Sequence, residues 1–483
     1  MYHSLVNEVV FAAMNEHQET IAEEFAKEAE ALRQIDLPPE LVSHAKRLLL
    51  DFCGSAIGGV STDSFQMAAR AFSDVPQGKF SVVQTGPKAL PEYAALLNAI
   101  AGHSLETDDI QNRSSIHLGV VVMPAVLAAC EMSPVSGSAA LKAIVAGYEV
   151  AGRIGRAVNP KDHYAKGFHP TATCGPYGAA MGAAYVMGLS SEQITNAIAL
   201  ASVGSAGLTQ FLHDGSLIKR LQPAWACHTG IVAAKMAAAG YTGPRTIFEG
   251  ANGFLRAYSS QPDELQARGA WVPCGRELMD TAIKPHATCR YNQSPVDGVL
   301  EIVCSQDLTP DQIISIEIGL LGVALPIVGE PLDFKRRPQS VVDAQFSVPF
   351  AAAVAAVRRR ASVEEHALDV IRSQSIQEMM DKVTVVHRTE LDTVYPKQWP
   401  ATVTITTKEG HKLESRVDYP RGDPMNPLNW EETVDKFKAL TGSLESASQD
   451  QIVDIIDRFE TIKDARELTH ALRVRSEEEK RDA

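Results

Sequence analysis

This chain is poor in aromatic residues, which make up only 6% of its 483 positions. Large aromatic clusters therefore do not dominate its interior, and the abundant alanine and glycine favour helices packed at short range. It has no CxxC pair. Its seven cysteines are scattered and odd in number, which excludes a disulfide framework or a cysteine-rich zinc site and suits reduced thiols in the cytoplasm. No window approaches ~18 uninterrupted apolar residues, so no membrane span is expected. The early VVFAAM run has no basic segment before it and is too short for a signal peptide. Positive charge is also in deficit: 45 Lys and Arg stand against 59 Asp and Glu, a net charge of −14. That balance argues against nucleic acid as a partner. An anionic ligand must be met by a local group of cations. Finally, no P-loop, strand–GxGxxG–helix fingerprint, HExxH or GxSxG is present, so the nucleotide, zinc-protease and hydrolase readings lack support.

What is present is a change of pattern along the chain. IAEEFAKEAEALRQ predicts an exposed amphipathic helix. DLPPELVSHAKRLLLDFCGSAIGG predicts a helix opened at Pro38–Pro39, with Leu41, Ala45, Leu48, Leu49 and Phe52 on its buried stripe and Gly54, Gly58 and Gly59 allowing close approach. VVVMPAVLAACEM, GSAALKAIVAGYEVAGRIGRAV and PYGAAMGAAYVMG continue the small-residue helices. LSSEQITNAIALA starts with Ser190 and Gln193 in capping-box register. Near residue 275 the period switches. IISIEIGLLG, KVTVVHR and ATVTITTKEGHKLESRVDY read as strands, interleaved with helical FSVPFAAAVAAVRRR and VEEHALDVIRS. NWEETVDKFKALTG and SQDQIVDIIDRFETI return to helix, and SEEEKRDA is a solvated tail. The expected organisation is a mainly α fold with a smaller α+β unit: residues 1–275 helical, 276–405 α+β, and 406–483 as helices packing back on the first part.

Four stretches carry chemistry. LETDDIQNRSSIHLG sets Glu106, Asp108 and Asp109 at the end of a predicted helix, with Arg113 and His117 following. Carboxylates at a helix C-terminus meet partial negative charge. They need cations nearby or accept raised pKa values, which suit acid/base work; the alternative is a solvated acidic loop. In GFHPTATCGPYG, His169 precedes a helix start where free N–H groups, with Thr171 and Thr173, would bind a carboxylate; the alternative is a threonine-capped helix. In GSLIKRLQPAWA, Lys219 and Arg220 sit in an apolar helix, either snorkelling to the surface or held in a cleft. TAIKPHATCRYNQSP gathers Lys284, His286, Cys289 and Arg290 at the change of pattern, where a cleft is expected. Asp109 and His117 lack a third ligand at a recognisable spacing, so no metal site is expected. Cys289 and His286 lack an orienting third group.

Taken in this order, these stretches resemble the MmgE/PrpD family, which includes 2-methylcitrate dehydratase, cis-aconitate decarboxylase and iminodisuccinate epimerase. The matching segments are LPPELVSHAKRLLLDFCGSAIGG, ETDDIQNRSSIHLG, GFHPTATCGPYGAA, GSLIKRLQPAWA, IFEGANGFL, IKPHATCRYNQSPVD and DAQFSVPFAAAVA, which span residues 38 to about 440. The resemblance implies a large helical domain built from both chain ends, an inserted α+β lid, a homodimer, and cofactor-free chemistry in the cleft between the two parts. By position, the family's functional residues fall on Glu106, Asp108, Asp109, His117, His169, Lys219 and Lys284. Leu118 stands where many members have proline and Gln222 where many have histidine, which leaves the substrate open. The expectation is proton transfer next to a carboxylate of a small di- or tricarboxylic acid. Lys219, Lys284 and Arg290 would hold carboxylates, and His117 and His169 would move protons. A dehydratase or decarboxylase comes first, an epimerase second, and a non-catalytic polycarboxylate binder third.

Overall fold

In a computed structural model the described residues are 19–73, 78–84 and 88–473; the acidic tail SEEEKRDA lies outside them. The fold is mainly α with a smaller α+β part, as the pattern predicts. Helix α1 (Ile21–Arg33) is held by a capping box between Thr20 and Glu23. It is less exposed than expected: Phe25, Ala29 and Leu32 are buried in the main core. Helix α2 (Pro39–Gly59) opens at Pro38–Pro39, and α3 (Pro91–Ser104) crosses it so closely that a Cβ on Gly59 would overlap the Ala101 carbonyl. The next helices are α4 (Gly119–Met132), α5 (Gly137–Ala157), α6 (Pro170–Val186), α7 (Ser191–Ala201) and α8 (Ile218–Ala238). Small residues let α5 and α6 meet backbone to backbone: a Cβ on Gly178 would lie 2.5 Å from the Gly147 carbonyl oxygen. The Ser190–Gln193 capping box that opens α7 forms as read from sequence.

Strand pairing then ties two distant parts of the chain together. Strand β1 (Ile110–Gln111) pairs antiparallel with β2 (Thr281–Ala282), with Ile110 opposite Ala282. This short ladder fixes the acidic stretch, which ends at β1, against Lys284, which follows β2. Helix α9 (Arg290–Ser305) and helix α10 (Val348–Arg358) accompany a four-stranded sheet. Its members are β3 (Ile313–Leu320), β4 (Val383–His387), β5 (Ala401–Thr407) and β6 (Lys412–Val417), in the order β4-β3-β5-β6. The β3–β4 pair is parallel and the others antiparallel. Strand β6 lies beyond residue 405, so the sheet runs past the boundary expected for the α+β unit, because the KEGHK turn returns the chain to the same sheet.

Two apolar cores result. One gathers residues from Ile21 to Ile283 and from Leu428 to Leu472; the other runs from Cys289 to Ile405. The chain's end rejoins its beginning through α11 (Trp430–Leu440), whose Phe437 packs on Gly54 of α2. From α11, Lys436 donates to the Thr107 carbonyl at 2.7 Å and pairs with Asp51. The acidic stretch is thus gripped from α2, α11 and the β1–β2 ladder.

Candidate active site

Helix α3 ends at Ser104, and Glu106 follows with φ +60°. A non-glycine residue in the left-handed region is strained, and here the strain turns the Glu106 carboxylate into a group of cations. Lys219 Nζ lies 2.7 Å from Oε2, Arg220 2.6 Å from the same oxygen, and Lys284 Nζ 3.4 Å from Oε1. Burial alone would raise this carboxyl, but Lys219, Lys284 and Arg220 together hold it well below the usual range. Lys219 is 3% exposed, so it does not snorkel. Burial lowers its ammonium to about 8 despite the Glu106 charge, which places a proton donor within reach of neutral pH.

Asp108 organises a second layer. Its Oδ2 accepts from His103 Nδ1 at 2.7 Å and lies 2.9 Å from His117 Nδ1. His117 Nδ1 also lies 2.9 Å from the Asp109 carbonyl oxygen. Both neighbours of that nitrogen can only accept, so His117 carries its hydrogen on Nδ1 and leaves Nε2 bare. His103 is treated the same way, and its bare Nε2 accepts from Lys219 Nζ at 2.8 Å. Burial, with the nearby Lys219 charge, drives His103 down to about 3, and burial also lowers His117. Burial would raise Asp108, but His103, His117 and Lys284 more than offset it.

The third carboxylate behaves differently. Asp109 was expected to be catalytic, but its oxygens accept from the Gly119 N–H at 2.9 Å and the Tyr148 hydroxyl at 2.6 Å. It pins the start of α4 behind the site rather than facing the cavity. Burial raises its pKa to about 7. Acids at this helix end need cations nearby or accept raised pKa values, and both outcomes occur: Asp109 is raised, while Lys219, Lys284 and Arg220 hold Glu106 low and His103, His117 and Lys284 hold Asp108 low.

The cavity lies between the two cores. It is lined by Glu106, His117, His169 and Lys219 from the helical part and by Arg290, Tyr291, Phe346 and Trp399 from the α+β part, with Tyr164 and Phe211 adding apolar wall. Its free volume is about 50 Å³. Arg290 donates to Asn112 at 3.1 Å, pairs with Asp423 and lies 5.8 Å over the Trp399 ring. Its Nη1 is buried without a partner among the described residues, a donor left over for a carboxylate.

Other expectations change. Lys284 is fully buried and braces Glu106 and Asp108 from behind, without lining the cavity. Thr171 accepts from the His117 N–H at 3.2 Å and Thr173 bonds His163 at 2.8 Å, and neither lines the cavity. The His169 N–H at that helix start is taken by the Gly207 carbonyl. His286 is bound to Asp297, and burial pushes the Cys289 thiol up to about 11, so no thiolate nucleophile is made. Sequence reading passed over His103, whose signal was its place in the last turn of α3, five residues before Asp108. Tyr148, Asn112 and Asp423 had no short-range signal at all, and Gln222 stood out only as a departure from the family's pattern.

His103, Asp108 and His117 bring three ligand-type atoms within 4.8 Å of one another. Ligands on a tetrahedral ion at ~2.1 Å stand more than ~3 Å apart. Separations of 2.7 and 2.9 Å are hydrogen-bond lengths, and Lys219 and Lys284 already supply the local positive charge. The cluster fits a proton network better than a metal centre.

The sequence matches the MmgE/PrpD N-terminal domain over residues 23–266 and the MmgE/PrpD C-terminal domain over residues 286–461. It is 27% identical over 459 residues to a cis-aconitate decarboxylase-like protein of Aspergillus oryzae, covering 90% of this chain and 94% of that protein. It is 24% identical over 465 residues to a cis-aconitate decarboxylase of Aspergillus terreus, covering 90% and 92% of the two chains. Against the cis-aconitate decarboxylase of Homo sapiens the identity is 25% over 480 residues, covering 94% and 95%.

Proposed function

The chain belongs to the MmgE/PrpD family, and on that footing we propose that it is a cofactor-independent lyase of a small di- or tricarboxylic acid. Decarboxylation or dehydration next to a retained carboxylate is the reaction. The observation that carries this reading is one cavity holding a buried cation group and two neutral imidazoles, His117 and His169, each with a bare Nε2. Lys219 and the spare Nη1 of Arg290 hold carboxylates of the substrate. In a decarboxylation the C–CO₂ bond breaks, its electron pair delocalises toward the retained carboxylate, and that charge is stabilised by the lysine and arginine. Lys219, near pKa 8, then delivers the proton to carbon. In a dehydration, a bare imidazole nitrogen takes the proton next to the carboxylate and the hydroxyl leaves as water with a proton from the acid partner.

Epimerisation of a dicarboxylate is the second reading, favoured by the same pair of bare nitrogens, since one base removes the proton and another returns it. The deciding experiment is turnover of a polycarboxylate panel in deuterated water, headed by cis-aconitate because relatives are named for it. Release of CO₂ with one deuterium placed on carbon, or release of water with a proton lost from carbon, supports the lyase. Exchange with inversion and no loss of mass favours the epimerase. Tight binding by calorimetry with no turnover of any acid overturns both.

A further inference from the structure

We propose that Gln222 is a positioning residue that fixes His169 in the tautomer with Nδ1 protonated and Nε2 facing the cavity as a base. Gln222 lies on α8, one helical turn after Lys219, so both reach the same side of the helix. It is 8% exposed and makes two bonds. Its Nε2 donates to the Leu208 carbonyl at 2.8 Å, and its Oε1 lies 2.7 Å from His169 Nδ1. The Leu208 carbonyl can only accept, so the amide nitrogen must point there and the amide oxygen must point at the histidine. An amide oxygen also only accepts. The hydrogen is therefore on His169 Nδ1, and Nε2 is left with its lone pair.

The surroundings are shaped for this relay. The His169 N–H is bonded to the Gly207 carbonyl, which ties the loop before Leu208 to the start of α6. Gly207 has φ +153°, and a Cβ there would strike Ala172 Cβ at 2.4 Å and crowd Gln222 Oε1 at 3.0 Å.

The choice of an amide also separates the two cavity histidines chemically. His117 is oriented by the Asp108 carboxylate, whose charge favours an imidazolium. His169 is oriented by a neutral acceptor, which sets the tautomer without inviting charge beside Lys219. Burial and the Lys219 charge keep His169 neutral. The role of Nε2 as a base rests on the acid–base reading above; the tautomer does not.

The test is nitrogen-15 NMR of protein labelled at histidine, with His169→Gln to identify the resonance, together with kinetics of Gln222→Met. The expected result is a protonated Nδ1 and a bare Nε2 on His169 in the unmodified chain at neutral pH. In Gln222→Met that preference is lost, kcat falls at least ~10-fold and KM stays within about threefold. A proton on Nε2 of the unmodified chain overturns the proposal, and this readout holds even where Gln222→Met does not fold. An unchanged tautomer and kcat in the variant overturn it equally. Should no acid be turned over, the tautomer still decides the role of Gln222, and the acid–base reading fails by itself.

Discussion

At the scale of single residues, the acidic stretch separates into three fates that identical chemistry in sequence concealed. Glu106 is held low by Lys219, Lys284 and Arg220 and Asp108 by His103, His117 and Lys284, while Asp109, with a tyrosine hydroxyl and one N–H as partners, is raised to about 7 by burial. A carboxyl whose folded pKa lies above its unfolded value near 4 favours folding most below pH 4, and that contribution is lost as pH rises toward 7. Asp109→Asn removes the loss. Comparing melting temperatures at pH 5 and pH 8, the difference between variant and unmodified protein should shift in the variant's favour at pH 8; a pH-independent difference contradicts the assignment. Lys284 makes the opposite case. Its ammonium lies within 3.7 Å of both Glu106 and Asp108 and is fully buried. Lys284→Met strips two buried anions of a partner and should destabilise by about 3 kcal/mol or more in denaturant titration. A near-unchanged unfolding midpoint would return Lys284 to a purely chemical role. The sequence reading named Lys219 and Lys284 together but had no means of pairing them. They reach Glu106 across 113 and 178 residues of chain, and no local spacing reports such contacts.

At the scale of elements, the helices were legible because their signals are local. The proline start of α2, the capping box of α7 and the small-residue faces of α5 and α6 each show in a window of a few residues. Strands β3 to β6 were legible from β-branched alternation, but the hairpin's outer strand was left outside the unit's boundary. It reads as a strand, but its alternation between exposed and half-buried residues does not tie this edge strand to the unit's core. The two-residue β1–β2 ladder, which seats the site, is too short for any pattern to announce it. Close crossings give the sharpest test here. Gly119 opens α4, and a Cβ on it would lie 2.9 Å from both Asp109 carboxylate oxygens. Gly119→Ala should destabilise by about 1–3 kcal/mol, and thermal melting of the double variant with Asp109→Gly should recover part of that loss. Additive losses would mean that the carboxylate is not what the methyl strikes.

At the scale of the whole molecule, a net charge of −14 sets the problem that the buried cations answer: the overall field does not favour a polyanion, so local cations in the cavity must bind it. Among the described residues no helix is long and apolar enough to cross a membrane. Helix α8 nevertheless shows an exposed apolar stripe of Ile218, Leu221, Trp225 and Met236 on the side away from the site. With the pairing implied by the family, that face leads us to expect a homodimer at micromolar concentration by light scattering; a monomer would count against it. The hydrogen-bonded spacing of His103, Asp108 and His117 predicts that activity survives exhaustive chelation. A loss restored by one divalent ion would make that cluster a metal site. The claim at the centre of the account is that Lys219 acts on the substrate from inside the cavity. Its most direct test is kcat/KM of Lys219→Met beside the melting temperature, since methionine keeps the packing of the stem and removes the charge. The account predicts a fall of at least ~100-fold, about 2.7 kcal/mol of transition-state stabilisation, with Arg220 and Lys284 still holding Glu106 and the fold intact. Activity within threefold of the unmodified enzyme would contradict it.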